Sequence, residues 1–377
     1  MNKEKKNSFL EKIRSKNKES KHHFRYKRVV CSPIRYAGGK SMAVGHIIEL
    51  FPDNIEKLIS PFFGGGSVEI AASKYLDLEV IGYDIFSILV NYWKFQIENP
   101  ELLCEKLKEF KPNQETYDSV KNRLEDHWDK TTKTFDEWNK GCHRFERYKK
   151  LPMFKEIEEL KEQIRQVRKD EKIEKIKELR EKQKFKMGWA EKEWNRKQIL
   201  KGIDLASCYY FNFNLSYGPG FLGWAGSIYL NDKKYESMLE SIREFRPGNL
   251  KVECADFQDV FEKHPNDFFY CDPPYYIGEN SKMFKGIYPM RNIPIHHNGF
   301  PHEKLLELLS THNGGFILSY NNCPKVREWY KDYQQVFPSW QYTMGQGEKR
   351  IGKNRLKFDQ NHIKESHEII ITKLPQK

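Results

Sequence analysis

Short apolar runs that end in an acidic or polar residue recur along the chain, and they constrain its fold more than any other feature. Val80-Ile81-Gly82-Tyr83-Asp84 is one, and Asp267-Phe268-Phe269-Tyr270-Cys271-Asp272 is another. Gly315-Phe316-Ile317-Leu318-Ser319-Tyr320 and His367-Glu368-Ile369-Ile370-Ile371-Thr372 repeat the form. Runs this short and this apolar read as buried strands. Helical patterns fall between them, as at Leu305, Leu306, Leu308 and Leu309 after Pro301. Strands alternating with helices predict an α/β fold with a mostly parallel sheet.

The rhythm is interrupted once. Residues 1–28 are rich in Lys, Asn and Ser and read as a flexible basic tail. Strand-and-helix texture occupies 29–100 and again 227–377, and the span 101–226 reads as a mainly helical insert. Within it, Phe154–Lys186 is dominated by Glu, Lys and Arg, and Ile157, Leu160, Ile164 and Val167 keep a 3-4-3 spacing. That spacing describes an amphipathic helix or a short coiled-coil seam, which Ile173, Ile176 and Leu179 do not continue. The stripe should face protein. The charged face, with Lys184, Lys186, Arg196 and Lys197, would then meet phosphates, and Trp189, Trp194 and Asn195 are candidates for reading bases. A solvated spacer is the alternative.

Charge narrows the partners. The 377 residues carry a formal net charge of +12, and 14% are aromatic. A basic surface suits a polyanion, because Lys and Arg at phosphates release condensed counterions. The seven cysteines include no C-x-x-C pair, and no His/Cys cluster has zinc spacing, so free thiols and no structural metal are expected. No apolar run approaches the roughly 20 residues of a membrane helix. Lys3, Lys5 and Lys6 lead into further charge, unlike a signal peptide. The expected location is the cytoplasm, on the nucleoid if the source is bacterial, with no membrane partner.

Three segments carry chemistry. Asp272-Pro273-Pro274-Tyr275 ends an apolar strand, where open α/β sheets place ligands. The prolines have no N–H, so local carbonyls stay available as acceptors. An aromatic amine is a poor nucleophile because its lone pair is delocalised. The Asp272 carboxylate and the Pro273 carbonyl, accepting its two hydrogens, would turn that lone pair toward an electrophilic methyl, with Tyr275 stacked on the base. The bland reading is a stiff turn. Pro61-Phe62-Phe63-Gly64-Gly65-Gly66-Ser67 follows the apolar pair Leu58-Ile59 and precedes a helical pattern, Val68–Tyr75. Its glycines allow close approach to a ligand, and without a following Lys it is no phosphate-binding P-loop. About twenty residues on, Asp84 ends a strand where an acid accepts ribose hydroxyls. The two together suggest an adenosine-containing cofactor. In Arg35-Tyr36-Ala37-Gly38-Gly39-Lys40, a flexible loop offers a cation to a carboxylate.

The ordered set R-Y-A-G-G-K, P-F-F-G-G-G-S, G-Y-D-I, A-D-F, C-D-P-P-Y-Y and H-E-I-I-I-T resembles the alpha group of adenine-N6 DNA methyltransferases, the Dam-like family. The resemblance covers about 32–100 and 200–373. It implies a Rossmann-like class I methyltransferase sheet with an inserted target-recognition region, S-adenosyl-L-methionine as cofactor, and double-stranded DNA as partner. A cognate restriction enzyme is a further candidate partner, and the charged insert also fits a subunit of a larger assembly. By the resemblance, Tyr36 (where the family has Trp), Ala37, Gly38 and Lys40 contact the cofactor. Phe62, Gly64 and Gly66 cradle its methionine part and Asp84 its ribose. Asp256 and Phe257 read its adenine, and Asp272, Pro273, Pro274 and Tyr275 form the catalytic pocket, with Asp272 also near the cofactor. Tyr209–Gly226 resembles a segment that lies on the DNA side. RNA-adenine and cytosine-N4 enzymes more often carry Asn or Ser in place of Asp272. A non-catalytic binding module would have lost Asp272, Tyr275 or the glycines.

Overall fold

In a computed structural model, residues 3–14, 26–36, 38–141, 152–169, 173–218, 220–276, 299–338 and 368–375 are described. The chain forms two compact units, Met1–Tyr117 with Gly202–Lys377, and Asp118–Lys201.

The first unit holds a sheet of β1 (Lys57–Ser60), β2 (Glu79–Asp84), β3 (Leu250–Cys254), β4 (Phe268–Cys271), β5 (Phe316–Asn321), β6 (Gln334–Val336) and β7 (Glu368–Lys373). Its order is β3-β2-β1-β4-β5-β7-β6. The first five in that order are parallel, and β7 runs antiparallel between β5 and β6. This is the mostly parallel α/β sheet that the apolar runs predict. β3 and β6 escape a reading by apolar runs because they are sheet edges. Lys251, Glu253 and Cys254 of β3 are exposed.

Alternation of side chains explains why the central strands are apolar throughout. Ile59, Phe269, Cys271, Phe316, Leu318, Tyr320, Ile369 and Ile371 form one core with Phe257, Val260 and Phe261 of helix Phe257–Lys263. Leu305 and Leu309 of helix His302–Thr311 complete it. The alternate residues Leu58, Val80, Phe268, Tyr270, Ile317 and Ile370 are equally buried, so both faces of the sheet are covered. Helix Gly202–Leu215 is buried at every position from Leu205 to Leu215. A helix apolar on all sides belongs in an interior, and its Tyr210 stacks on Tyr92 of helix Ser87–Glu98, centroids 5.5 Å apart.

The chain's start differs from the tail that its composition suggests. Lys3–Ile13 is a helix. Phe9 stacks on Tyr75 at 4.9 Å, and the ammonium of Lys6 is buried against the Phe51 carbonyl and Asp53. One apolar turn and one buried, paired lysine dock it.

The second unit is helical among its described residues. Leu160 and Ile164 of Pro152–Lys169 pack on Leu179 of Ile173–Arg196, so these members of the 3-4-3 stripe face protein. The side chains of Ile157, Val167, Lys184, Lys186 and Trp189 lie outside the described residues. Lys197 is not on a phosphate-facing surface. It is buried, 2.6 Å from Asp126 and 3.0 Å from Asp129. Arg196 is paired with Glu193, and Trp194 packs against Phe135 and Trp138. Sequence could not foresee this because Asp126 and Asp129 sit on a different helix, Gln114–Thr132.

Close packing makes Gly82 in β2 a test of the sheet. A Cβ there would fall 2.1 Å from the ring of Phe63, which is itself buried against Trp93. Gly82→Ala is expected to lower stability by about 1–3 kcal/mol, as overpacked cores do. Urea unfolding reads this, and an unchanged midpoint would show that Phe63 gives way freely.

Candidate active site

The chain passes from β1 to β2 to β3 on one side of the sheet before crossing to β4 on the other side of β1. Loops leaving the carboxyl ends of β1 and β4 therefore diverge, and open α/β sheets hold their ligands in that crevice. Pro61–Ser67 leaves β1 and Asp272–Tyr275 leaves β4, so the two segments most suggestive in sequence flank the switch point.

Acids at or just past the carboxyl ends of β2, β3 and β4 organise their neighbours. Asp84 closes β2. Its Oδ2 accepts the Gly64 N–H at 3.0 Å and its Oδ1 the Phe86 N–H at 2.9 Å. The Gly64 carbonyl accepts the Trp93 indole N–H at 2.9 Å, so the glycine loop is held from both sides. Gly66 sits at φ 63°, a left-handed turn into helix Ser67–Leu76 that favours glycine. Asp256, two residues past β3, caps helix Phe257–Lys263 through the Gln258 N–H at 2.9 Å. Phe257 lies 5.5 Å from Phe62 and 5.4 Å from Phe300, which makes an aromatic wall beside the loop.

The loop bearing Tyr36 is tied down from the opposite side. The Asn214 Oδ1 accepts the Arg35 N–H at 2.8 Å, and the Arg35 guanidinium lies 3.6 Å over the Tyr229 ring. Tyr36 stacks on Phe213 at 5.7 Å and covers Gly64 and Gly65, where any Cβ would strike its ring. Ala37 lies outside the described residues. Lys40 reaches Asp272, the first residue of the tetrapeptide after β4. Its ammonium stands 2.7 Å from Asp272 Oδ1, 3.1 Å from the Gly38 carbonyl and 3.8 Å from Glu368 Oε1. Burial alone would lower the pKa of Lys40, but Asp272 and then Glu368 outweigh it and the net shift is upward. Lys40 is a fixed cation.

Asp272 keeps 22% of its side chain exposed, and burial raises its pKa against the pull of Lys40. Pro273 is buried and Pro274 half-buried. Tyr275 is buried, stacked 6.0 Å from Tyr320, with its hydroxyl donating to Glu368. The segment that resembles a DNA-side element divides. Tyr209–Leu215 is core, whereas Tyr217 and Trp224 beyond it are 70% and 74% exposed.

Two buried acids of this site are not evident from the motifs. Burial pushes Glu368 up to about 7 and Glu69 likewise to about 7. Glu69 accepts the Ser60 hydroxyl at 2.6 Å. The available signal was a single acid inside an otherwise apolar element, in Ser67-Val68-Glu69-Ile70-Ala71 and in Glu368-Ile369-Ile370-Ile371.

The donor set fits S-adenosylmethionine. Carboxylates at the ends of β2, β3 and β4 suit a sulfonium cation with ribose hydroxyls and an amine, and the Phe62–Phe257–Phe300 wall suits an adenine face. Among the described residues no group of His, Cys, Asp and Glu is placed to hold a metal, and no helix is long and apolar enough to cross a membrane.

A family model described as D12 class N6 adenine-specific DNA methyltransferase matches residues 36–344. The Type II methyltransferase M1.LlaDCHI of Lactococcus lactis subsp. cremoris is 24% identical over 314 residues, which is 79% of this chain and 84% of that protein. The Type II methyltransferase M.FokI of Planomicrobium okeanokoites is 28% identical over 120 residues, 30% of this chain and 18% of that one.

Glu69 gives the site a pH signature. Its folded pKa of about 7 exceeds the ordinary 4.5, so between those values the folded state binds more protons than the unfolded one. Stability then falls as pH rises through that window and levels off above it. Glu69→Gln removes the term. Its melting temperature should match wild type near pH 4.5 and exceed it increasingly up to about pH 7. Melting followed by circular dichroism across that range checks this, and a gap independent of pH would refute it.

Proposed function

The chain belongs to the D12 class of N6 adenine-specific DNA methyltransferases, and on that premise we propose that the crevice between β1 and β4 binds S-adenosylmethionine and methylates adenine turned out of duplex DNA. The observation that carries the reading is the placement of Asp272–Tyr275 across the switch point from the glycine loop. When bound, the cofactor supplies an electrophilic methyl on a positively charged sulfur. Phe62, Gly64 and Gly66 then line its methionine part, Asp84 its ribose, and Asp256 with Phe257 its adenine, while Tyr36 and Gly38 shape the opposite wall.

The chain's own part is alignment and preorganised charge. The Asp272 carboxylate and the Pro273 carbonyl accept the two N6 hydrogens, which directs the nitrogen lone pair out of the ring plane. The Lys40 ammonium, 2.7 Å away, opposes the burial that raises the Asp272 pKa and so favours its acceptor form. Tyr275 offers its ring to the base, offsetting part of the few kcal/mol lost when a base leaves the stack. Pro274 stiffens the turn that holds these groups.

The remaining assignments follow from the same reading. Residues 29–100 and 227–377 carry cofactor binding and catalysis, and 101–226 the reading of the DNA site. The two relatives are Type II methyltransferases, and by that likeness this chain protects DNA against a cognate restriction enzyme in the cytoplasm. Deleting Phe154–Lys186 with a short linker should spare cofactor binding but change site choice or the salt dependence of duplex binding. Identical methylated sites and an identical salt slope would make the helices a spacer.

Asp272→Ala should lower transfer to N6 by about 10²–10³-fold, the scale of one lost preorganised group. Duplex affinity should change little, since phosphate contacts supply most of it. Transfer of labelled methyl together with duplex-binding anisotropy measures both. A variant retaining a tenth of wild-type turnover would contradict the role.

A further inference from the structure

The last strand meets the catalytic turn through one cross-strand pair. In the antiparallel register of β5 and β7, Glu368 lies opposite Asn321. The Asn321 Nδ2 donates to the Tyr276 carbonyl at 2.9 Å, and Glu368 Oε1 accepts the Tyr275 hydroxyl. The same Oε1 is 3.8 Å from the Lys40 ammonium, which also stands 5.0 Å from the centre of the Tyr275 ring. One carboxylate oxygen therefore accepts the Tyr275 hydroxyl and lies 3.8 Å from the cation that grips Asp272.

Charge compensation for Lys40 does not by itself call for a second carboxylate, because Asp272 already stands 2.7 Å from the ammonium. Glu368 is 1% exposed in a strand whose following residues are Ile369, Ile370 and Ile371. What the carboxylate provides is a directed bond to a hydroxyl that no apolar side chain could hold.

We infer that Glu368 is a positioning residue for methyl transfer, fixing the tilt of the Tyr275 ring through its hydroxyl and the place of Asp272 through Lys40. It does not touch the base or the cofactor. The inference rests on the function proposed above for the same crevice. A ring turned out of register weakens stacking and misaligns the amine, and small misplacements cost rate more than binding.

The full chain is assayed with unmethylated genomic DNA and labelled S-adenosylmethionine, enzyme in excess over sites, alongside cofactor affinity by calorimetry. An inactive wild-type protein would sink the function itself. With wild type active, Glu368→Ala should slow single-turnover transfer by about tenfold or more, with cofactor Kd within about threefold. Glu368→Gln keeps an acceptor oxygen and should recover most of that rate. Tyr275→Phe removes the same bond from its other end, leaves the packing on Tyr320 and the Lys40 contact, and should also slow transfer, by less than Glu368→Ala. The double variant Tyr275→Phe with Glu368→Ala should be no slower than the slower single by more than about twofold, because the two share one interaction. If Glu368→Ala fails to fold, Tyr275→Phe decides alone. Either single variant above half the wild-type rate, a Glu368→Gln no faster than Glu368→Ala, or a double-variant loss equal to the product of the singles overturns the proposal.

Discussion

A buried ammonium holds the active crevice together. Lys40 is 4% exposed and stands between Asp272 and Glu368. Removing such a charge from water costs several kcal/mol unless partners surround it, so its surroundings are tightly constrained. The Tyr36 loop must bend to deliver it, β4 must end where Asp272 can meet it, and β7 must run beside β5 to bring Glu368 near. Two acids stand around this one cation, and burial lifts Glu368 to about 7.

The sheet turns this local arrangement into a cleft. Because β1 has parallel neighbours that the chain reaches in opposite directions, the loops after β1 and β4 part company, and the acids after β2 and β3 follow the glycine loop's side of the crevice. The Asp84 carboxylate, accepting the Gly64 N–H, and the Trp93 indole N–H, donating to the Gly64 carbonyl, fix the loop before any ligand arrives. Such pre-organisation lowers the ordering cost of binding.

Much of this was legible from residues alone, for identifiable reasons. Val80–Tyr83, Phe268–Cys271 and Phe316–Leu318 lie inside the sheet, flanked by neighbours on both sides, and so read as apolar runs. The edge strands left no such trace, because β3 exposes Lys251, Glu253 and Cys254 and β6 is the short polar run Gln334-Gln335-Val336. The glycine loop and the Asp272 tetrapeptide were visible because close approach and paired acceptors demand rare residue combinations. Glu69 and Glu368 were hidden because one acid in an apolar element has no spacing to betray it. Lys40 was recognised as a site cation, but its bond to Asp272 spans 232 positions, a distance across which no local pattern speaks. The N-terminal helix and the buried Lys197 misled for a related reason. A charged sequence says nothing about which charges find partners.

The antiparallel strand β7 has a consequence for how the molecule becomes competent. It follows the other described strands in the sequence, and its Glu368 meets Tyr275 across 93 positions. Contacts of such separation form late, after the loops between them close. A nascent chain stopped short of β7 has already made Asp272, Tyr275 and Lys40, yet it leaves the ring unanchored and one margin of β5 with unpaired N–H and C=O groups. Until β7 docks, that open margin invites pairing with another chain. Closing it shields the sheet from association and sets the ring in the same step, so an incomplete polypeptide is both exposed and unfinished as an enzyme.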